Sequence, residues 1–206
     1  MAEPLSFIHR FEKGALPDGR PLLLLHGTGG DENDLVPLGR TVAADAPLLS
    51  PRGKVLEHGM PRFFRRVAEG VFDEDDVRRR ADELADFIGE ARKRYALQAP
   101  IALGYSNGAN VAAAILLLRP DVLAGAILLR ATLPLSEPPS ADLTGKPVLI
   151  ASGETDPMIS LEGATRLAAV LQKDGALVEH RTLPLGHQLS QADIKLAKQW
   201  LAVHAG

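Results

Sequence analysis

Cysteine is missing from the 206-residue sequence, which removes disulfide bonds, thiolate metal sites and a cysteine nucleophile at once. No apolar run reaches the roughly 18 residues that a membrane-spanning helix needs, so no membrane association is expected. The stretch from Met1 to Gly14 lacks the apolar segment of a secretory signal and carries His9, Arg10, Glu12 and Lys13; the cytoplasm is the expected location. Neither charge sign dominates, and a formal net charge of -3 provides no basic field for nucleic acid. Arg65, Arg66, Arg78, Arg79 and Arg80 are locally dense, but Glu69, Asp73, Glu74, Asp75 and Asp76 lie among them, which reads as a solvated surface of mixed sign. The acidic run at Asp73–Asp76 precedes a helical pattern, where carboxylates cap and favour the dipole, so no metal site is expected there.

What the sequence does have is the apolar content of an ordinary globular protein, 46%, in a length that suits one domain over residues 1–206. Short apolar runs alternate with amphipathic ones. Strands are expected at 21–25, 46–50, 101–105, 126–129, 148–151 and 177–183, and helices from about 35 to 42, from 77 onward, at 107–118, 161–172 and 191–203. Ser190 and Asp193 have the spacing of a capping box. Such alternation predicts an α/β fold with a mostly parallel central sheet, helices on both faces and no sizeable cap domain. In that architecture ligands bind at the carboxyl ends of the strands.

The strongest chemical signal is Gly104-Tyr105-Ser106-Asn107-Gly108, a G-x-S-x-G between an expected strand and an expected helix. This is the context of a nucleophile elbow in an α/β-hydrolase fold. A serine hydroxyl attacks a carbonyl only when a base takes its proton. His187 follows the last expected strand and is the preferred base over His9, His26, His58, His180 and His204, which lie near the termini, within a strand or in other segments. Asp156, pinned by Pro157 after the strand ending at Ala151, is preferred over Glu154 as the carboxylate that orients the imidazole. The order Ser106, Asp156, His187 is that of this architecture. Backbone N–H groups of Asn107 and of Thr28, the latter in the glycine-rich His26–Gly30 loop, are the expected oxyanion donors. That loop lacks the lysine and full glycine pattern of a phosphate cradle. Phenylalanine occurs six times in all, yet Phe63, Phe64 and Phe72 share one short irregular segment with Met60. Met60, Phe63, Phe64 and Phe72, with Met158 and Leu189, are the candidates for a substrate-pocket wall; packing of the same segment onto the core is the equally weighted alternative.

With these residues in place, the chain resembles the phospholipase/carboxylesterase family. The likeness is to its compact bacterial carboxylesterases, related to acyl-protein thioesterases, and in particular to the methylhydroquinone-inducible esterase branch. It covers almost the whole chain and rests on LLLLHGTGGDENDL at 22–35, SPRGKVLEHGMPRFFRR at 50–66, GYSNGAN at 104–110, GETDP at 153–157 and Gly186-His187. The resemblance implies Ser106 as nucleophile, Asp156 as acid, His187 as base and Thr28 and Asn107 at the oxyanion positions, with the MPRFF segment at the pocket rim. It does not extend to the glutamine that follows the serine in the thioesterase branch, where Asn107 stands, and so does not imply protein-thioesterase activity. The expected activity is hydrolysis of short- to medium-chain or aryl carboxylic esters without a cofactor or metal. An acyl thioesterase or lysophospholipase-like hydrolase and a non-catalytic binding protein of the same fold are the alternatives. A small ester is the expected partner, and a homodimer is compatible with the sequence.

Overall fold

The computed structural model of the protein describes residues 4–15, 19–68 and 70–205; Met1 and Glu69, which entered the reading of the sequence, lie outside them. The chain runs through β1 (His9–Glu12), β2 (Leu22–Leu25), α1 (Val36–Val42) and β3 (Leu48–Pro51). Two short hairpins follow, β4 (Val55–Glu57) with β5 (Met60–Arg62) and β6 (Arg66–Ala68) with β7 (Val71–Phe72). Then come α2 (Glu74–Tyr95), β8 (Ile101–Tyr105), α3 (Asn107–Leu118), β9 (Gly125–Leu129), β10 (Pro147–Gly153), α4 (Leu161–Lys173), β11 (Leu177–Leu183) and α5 (Gln191–His204).

Seven strands form one sheet in the order β1-β3-β2-β8-β9-β10-β11. Strand β1 runs antiparallel to β3, and all other pairs are parallel. The central strands are apolar without alternation because both faces are covered. Successive residues serve opposite cores: Leu23, Leu25 and Ala102 face the cluster built with α2, α3 and α4, whereas Leu22, Leu24 and Leu103 face the one built with α1 and α5. Between β9 and β10 no helix intervenes; buried Leu135 and Leu143 tie this connection to the core instead. Among the described residues, the β3–α2 connection adds only the two hairpins above that sheet edge, and nothing of cap-domain size is present.

Helix α2 begins at Glu74, three residues before the apolar stripe starts, because Asp73 accepts a hydrogen bond from Asp76 N (3.1 Å) as its N-cap. Asp76 itself is buried and accepts from Arg65 N (2.7 Å) and from Arg79. The acidic run therefore builds a helix start and anchors the β6–β7 hairpin. At α5, Ser190 and Asp193 form the capping box.

Candidate active site

Ser106 stands between β8 and α3 with φ 52° and ψ −115°, a strained backbone for a residue with a Cβ. Two close approaches hold it there. A Cβ on Gly104 would lie 2.6 Å from Gly108 O, and one on Gly108 would lie 2.0 Å from Leu25 O. Strand and helix thus crowd so closely that only glycine fits two residues either side of the serine. Ser106 N donates to Leu129 O (2.9 Å) and Asn110 N to Ser106 O (2.9 Å), fixing the turn to β9 and α3.

His187 and Asp156 arrive from the ends of β11 and β10. His187 Nε2 is 3.0 Å from Ser106 Oγ, and His187 Nδ1 is 2.8 Å from Asp156 Oδ2. The Asp156 side chain is fully buried, and its other oxygen accepts from Met158 N (2.8 Å) and Ile159 N (3.0 Å). Both carboxylate oxygens are thus committed, which fixes the imidazole with Nδ1–H toward Asp156 and leaves Nε2 to accept the serine proton. Tyr105 Oη donates to His187 O (3.1 Å) and steadies the loop from the adjacent elbow. The arrangement is one in which an imidazole can remove a hydroxyl proton and later return it to a leaving group.

The Gly-rich loop after β2 is held by a buried histidine. His26 Nε2 accepts from Gly53 N (3.0 Å), so its proton is on Nδ1, which donates to Gly27 O (2.6 Å). Burial pushes the His26 pKa below its ordinary value, against the smaller upward effect of the Gly27 carbonyl. With Gly27 O turned to His26, the planar trans peptide directs the Thr28 N–H the opposite way. Asn107 is the first residue of α3, where N–H groups have no partner within the helix. Among the described residues, neither the Thr28 nor the Asn107 N–H donates to a protein acceptor.

Thr28, Ser106, Asn107, Asp156 and Met158 line a common cavity of about 270 Å³. Met158 and Phe72, both pocket candidates named from the sequence, line it; the others are placed differently. Phe63 and Phe64 are corrected to core residues: both are buried, Phe63 against the His26 ring (centroids 4.7 Å) and Phe64 edge-on to Phe72 (5.2 Å). The reason is local, since Asn107 Oδ1 accepts from Phe63 N (2.7 Å) and draws this segment onto the elbow. Leu189 is likewise corrected; it lies in a separate surface depression with Ile194. It precedes the N-cap of α5, where an apolar side chain serves as a hydrophobic staple. Met60 is exposed on β5, over Gly29 of the Gly-rich loop.

Several residues of the site went unread in the sequence: Asn110, Thr132 and Arg66 also line the cavity, as does Arg62, which the sequence placed only within the rim segment. Thr132 follows β9, so the strand-end rule that pointed to His187 and Asp156 points to it as well; its N–H donates to Asn110 Oδ1 (2.9 Å). Arg62 donates Nε to Phe64 O (3.2 Å) and Nη1 to Glu57 (2.6 Å), and Arg66 donates Nε to Glu57 (2.9 Å). The Arg66 and Arg62 guanidiniums hold the Glu57 carboxyl below the usual carboxylate range, against a smaller opposing effect of burial. Arg130, also missed, is wholly buried beneath the His187 loop, paired with Asp193. Charge in a core position has no sequence signature; its partner Asp193 was visible only as a cap.

The chain is similar to known proteins along nearly its full length. It is 46% identical over 194 residues to MhqD of Bacillus subtilis (strain 168), covering 93% of this chain and 96% of that protein. A carboxylesterase of Bacillus cereus superposes with a TM-score of 0.94 at 44% identity, over 97% of this chain and 95% of that one. YahD, solved with malic acid, superposes with a TM-score of 0.91 at 31% identity, over 96% of this chain and 99% of that one. The family described as phospholipase/carboxylesterase is matched over residues 9–205, from the first strand of the sheet to the end of the last helix, and the chain belongs to that hydrolase family.

Proposed function

We propose that the protein is a serine carboxylesterase that hydrolyses short- to medium-chain or aryl esters through an acyl-enzyme on Ser106. The observation that carries this is the chain of hydrogen bonds from Asp156 through His187 to Ser106, at 2.8 and 3.0 Å. His187 Nε2 takes the Ser106 proton as Oγ attacks the ester carbonyl. The oxyanion then meets the Thr28 and Asn107 N–H groups; one such donor is worth about 3 to 4 kcal/mol of barrier. His187 returns the proton to the departing alcohol, and water, activated by the same nitrogen, releases the acid. A cavity of about 270 Å³ lies at the small end for ligand sites and suits a short acid better than a long alkyl chain. The related YahD was solved with malic acid, a short acid.

The test is Ser106→Ala, assayed with 4-nitrophenyl esters alongside labelling of the wild type by a fluorophosphonate. Loss of turnover with an unchanged melting profile, and a label on Ser106, is the expected result. Undiminished turnover in the variant would remove Ser106 from the mechanism.

A further inference from the structure

One face of the cavity does nothing in the scheme above. Arg62 and Arg66 line it together with Ser106, Thr28 and Asn107. Among the described residues a single carboxylate, Glu57, serves both arginines, which leaves these described side chains with a surplus of one positive charge. The other carboxylate on the wall, Asp156, is turned to His187 and to two backbone N–H groups and adds nothing at the arginines. Of five N–H donors on each guanidinium, the bonds to Glu57 and Phe64 O account for two on Arg62 and one on Arg66. Arg62 is buried almost completely, so its charge is little screened by solvent.

The cavity also has a direction relative to the reaction. Its walls include the serine and both oxyanion residues but not His187. The leaving alcohol must face His187 to be protonated, so the cavity takes the acid half of the ester. Resting on the serine-esterase reading, we propose that the protein selects esters whose acid half carries a second, free carboxylate. The substrate class is the monoesters of small dicarboxylic acids: the esterified carboxyl lies at Ser106, and the free one is received by Arg62 and Arg66. A carboxylate suits the forked donors of a guanidinium, and one negative charge matches the surplus on the wall. Hydrolysis consumes one water, breaks the acyl–oxygen bond and releases the alcohol and the dicarboxylic acid.

The experiment compares mono-4-nitrophenyl succinate, glutarate and adipate with the corresponding methyl 4-nitrophenyl diesters, spontaneous hydrolysis subtracted. Within each pair the leaving group and chain are the same and one charge differs. The monoester is expected to be favoured in kcat/KM by about ten- to a hundredfold in the best-fitting pair, the gain of a charge-assisted hydrogen bond. In Arg66→Gln that preference falls about fivefold or more. Arg66 is chosen because Arg62 also fastens the hairpin to Phe64 O, and its loss risks unfolding. The ratio of two substrates within one preparation cancels the fraction of active protein, so a merely structural role for Arg66 leaves it unchanged and overturns the assignment. Diesters cleaved as well as or better than monoesters overturn the proposal and leave the serine mechanism standing. No turnover of either ester together with no fluorophosphonate label on Ser106 overturns both.

Discussion

Removing Arg130 is expected to cost both stability and turnover, and the two losses are separable. Its side chain is 0% exposed and that of Asp193 is 1% exposed. The guanidinium donates to Asp193 through Nη1 (2.7 Å) and Nη2 (3.0 Å), to Gly186 O through Nε (2.9 Å), and to Ala151 O and Gln188 O (3.2 Å each). Gly186 and Gln188 flank His187, so one buried cation holds the loop that carries the base. Arg130→Met leaves the Asp193 carboxylate buried with only Ser190 N and Oγ as partners (2.8 and 3.0 Å). Breaking a buried pair from one side costs about 3 to 5 kcal/mol, a large part of the roughly 5 to 15 kcal/mol that holds a domain together. Asp193→Leu strands the arginine instead and forfeits the Asp193 half of the α5 capping box, worth up to about 1 kcal/mol more. The double variant Arg130→Met/Asp193→Leu strands neither charge and is expected to cost no more than Arg130→Met alone. Urea unfolding of the four proteins reads the cycle. Turnover is assayed at a temperature where all four are folded. There, both Arg130 variants lose about ten- to a hundredfold in kcat, because an untethered His187 loop no longer keeps the imidazole in line. Single costs below about 1 kcal/mol, or a cycle additive within about 0.5 kcal/mol, would refute the reasoning.

Three further outcomes are expected. Ser106→Gly relieves the positive φ of 52° and raises stability by about 1 kcal/mol on thermal unfolding while abolishing turnover; a lower melting temperature would show that the elbow holds no strain. Gly108→Ala places a methyl 2.0 Å from Leu25 O and is expected to cost more than about 3 kcal/mol or prevent folding, whereas Gly59→Ala, in an open turn with φ 81°, costs about 1 kcal/mol for its backbone alone; equal effects in the two would count against the close approach. Burial lowers the pKa of His26 and of His180 in the folded state, so the unfolded chain binds more protons in acid. Stability is then full above about pH 6.5 and falls as pH drops below it, by up to about 1.4 kcal/mol per pH unit for each histidine. Urea midpoints that stay constant from pH 7 to 5 would contradict this, and His26→Gln should flatten part of the slope.

The central parallel strands were legible in the sequence because burial on both faces writes an uninterrupted apolar run: Leu22–Leu25, Ile101–Leu103 and Val148–Ala151 need no partner to be read. Strand β1 was not, since His9, Arg10 and Glu12 on an antiparallel edge carry neither an apolar run nor clean alternation. The hairpins of residues 55–72 escaped for a similar reason, being two or three residues per strand and joined by turns at Gly59 and at Gly70. The constellation Ser106, Asp156 and His187 was legible through position, each following a strand of one parallel sheet. The cavity wall was not. Phe63 and Phe64 have the composition of a pocket lining, but a single hydrogen bond from Phe63 N to Asn107 decides that they face the core and that Arg62 faces the cavity. Such a contact joins positions 44 residues apart and leaves no periodic trace.

Five buried polar side chains share one logic. His26 fastens the Gly-rich loop to Gly53, Asn107 fastens the hairpin segment to the elbow, Asn110 fastens the β9 loop, and Arg130 with Asp193 fastens the His187 loop. Each is buried, each bonds a backbone group, and each bonded loop contributes to the same end of the sheet. Apolar replacements of matching shape in pairs are tolerated or even stabilising in many cores, so stability alone does not account for polar groups at these positions. Loops carry exposed, mobile backbone unless something ties it down, and reacting groups must hold their places within about 0.5 Å. A buried donor or acceptor aimed at a loop carbonyl or N–H supplies a direction that apolar packing does not. The double variant at Arg130 and Asp193 isolates this effect: stability near that of the single variants with turnover still depressed is what a positioning role requires.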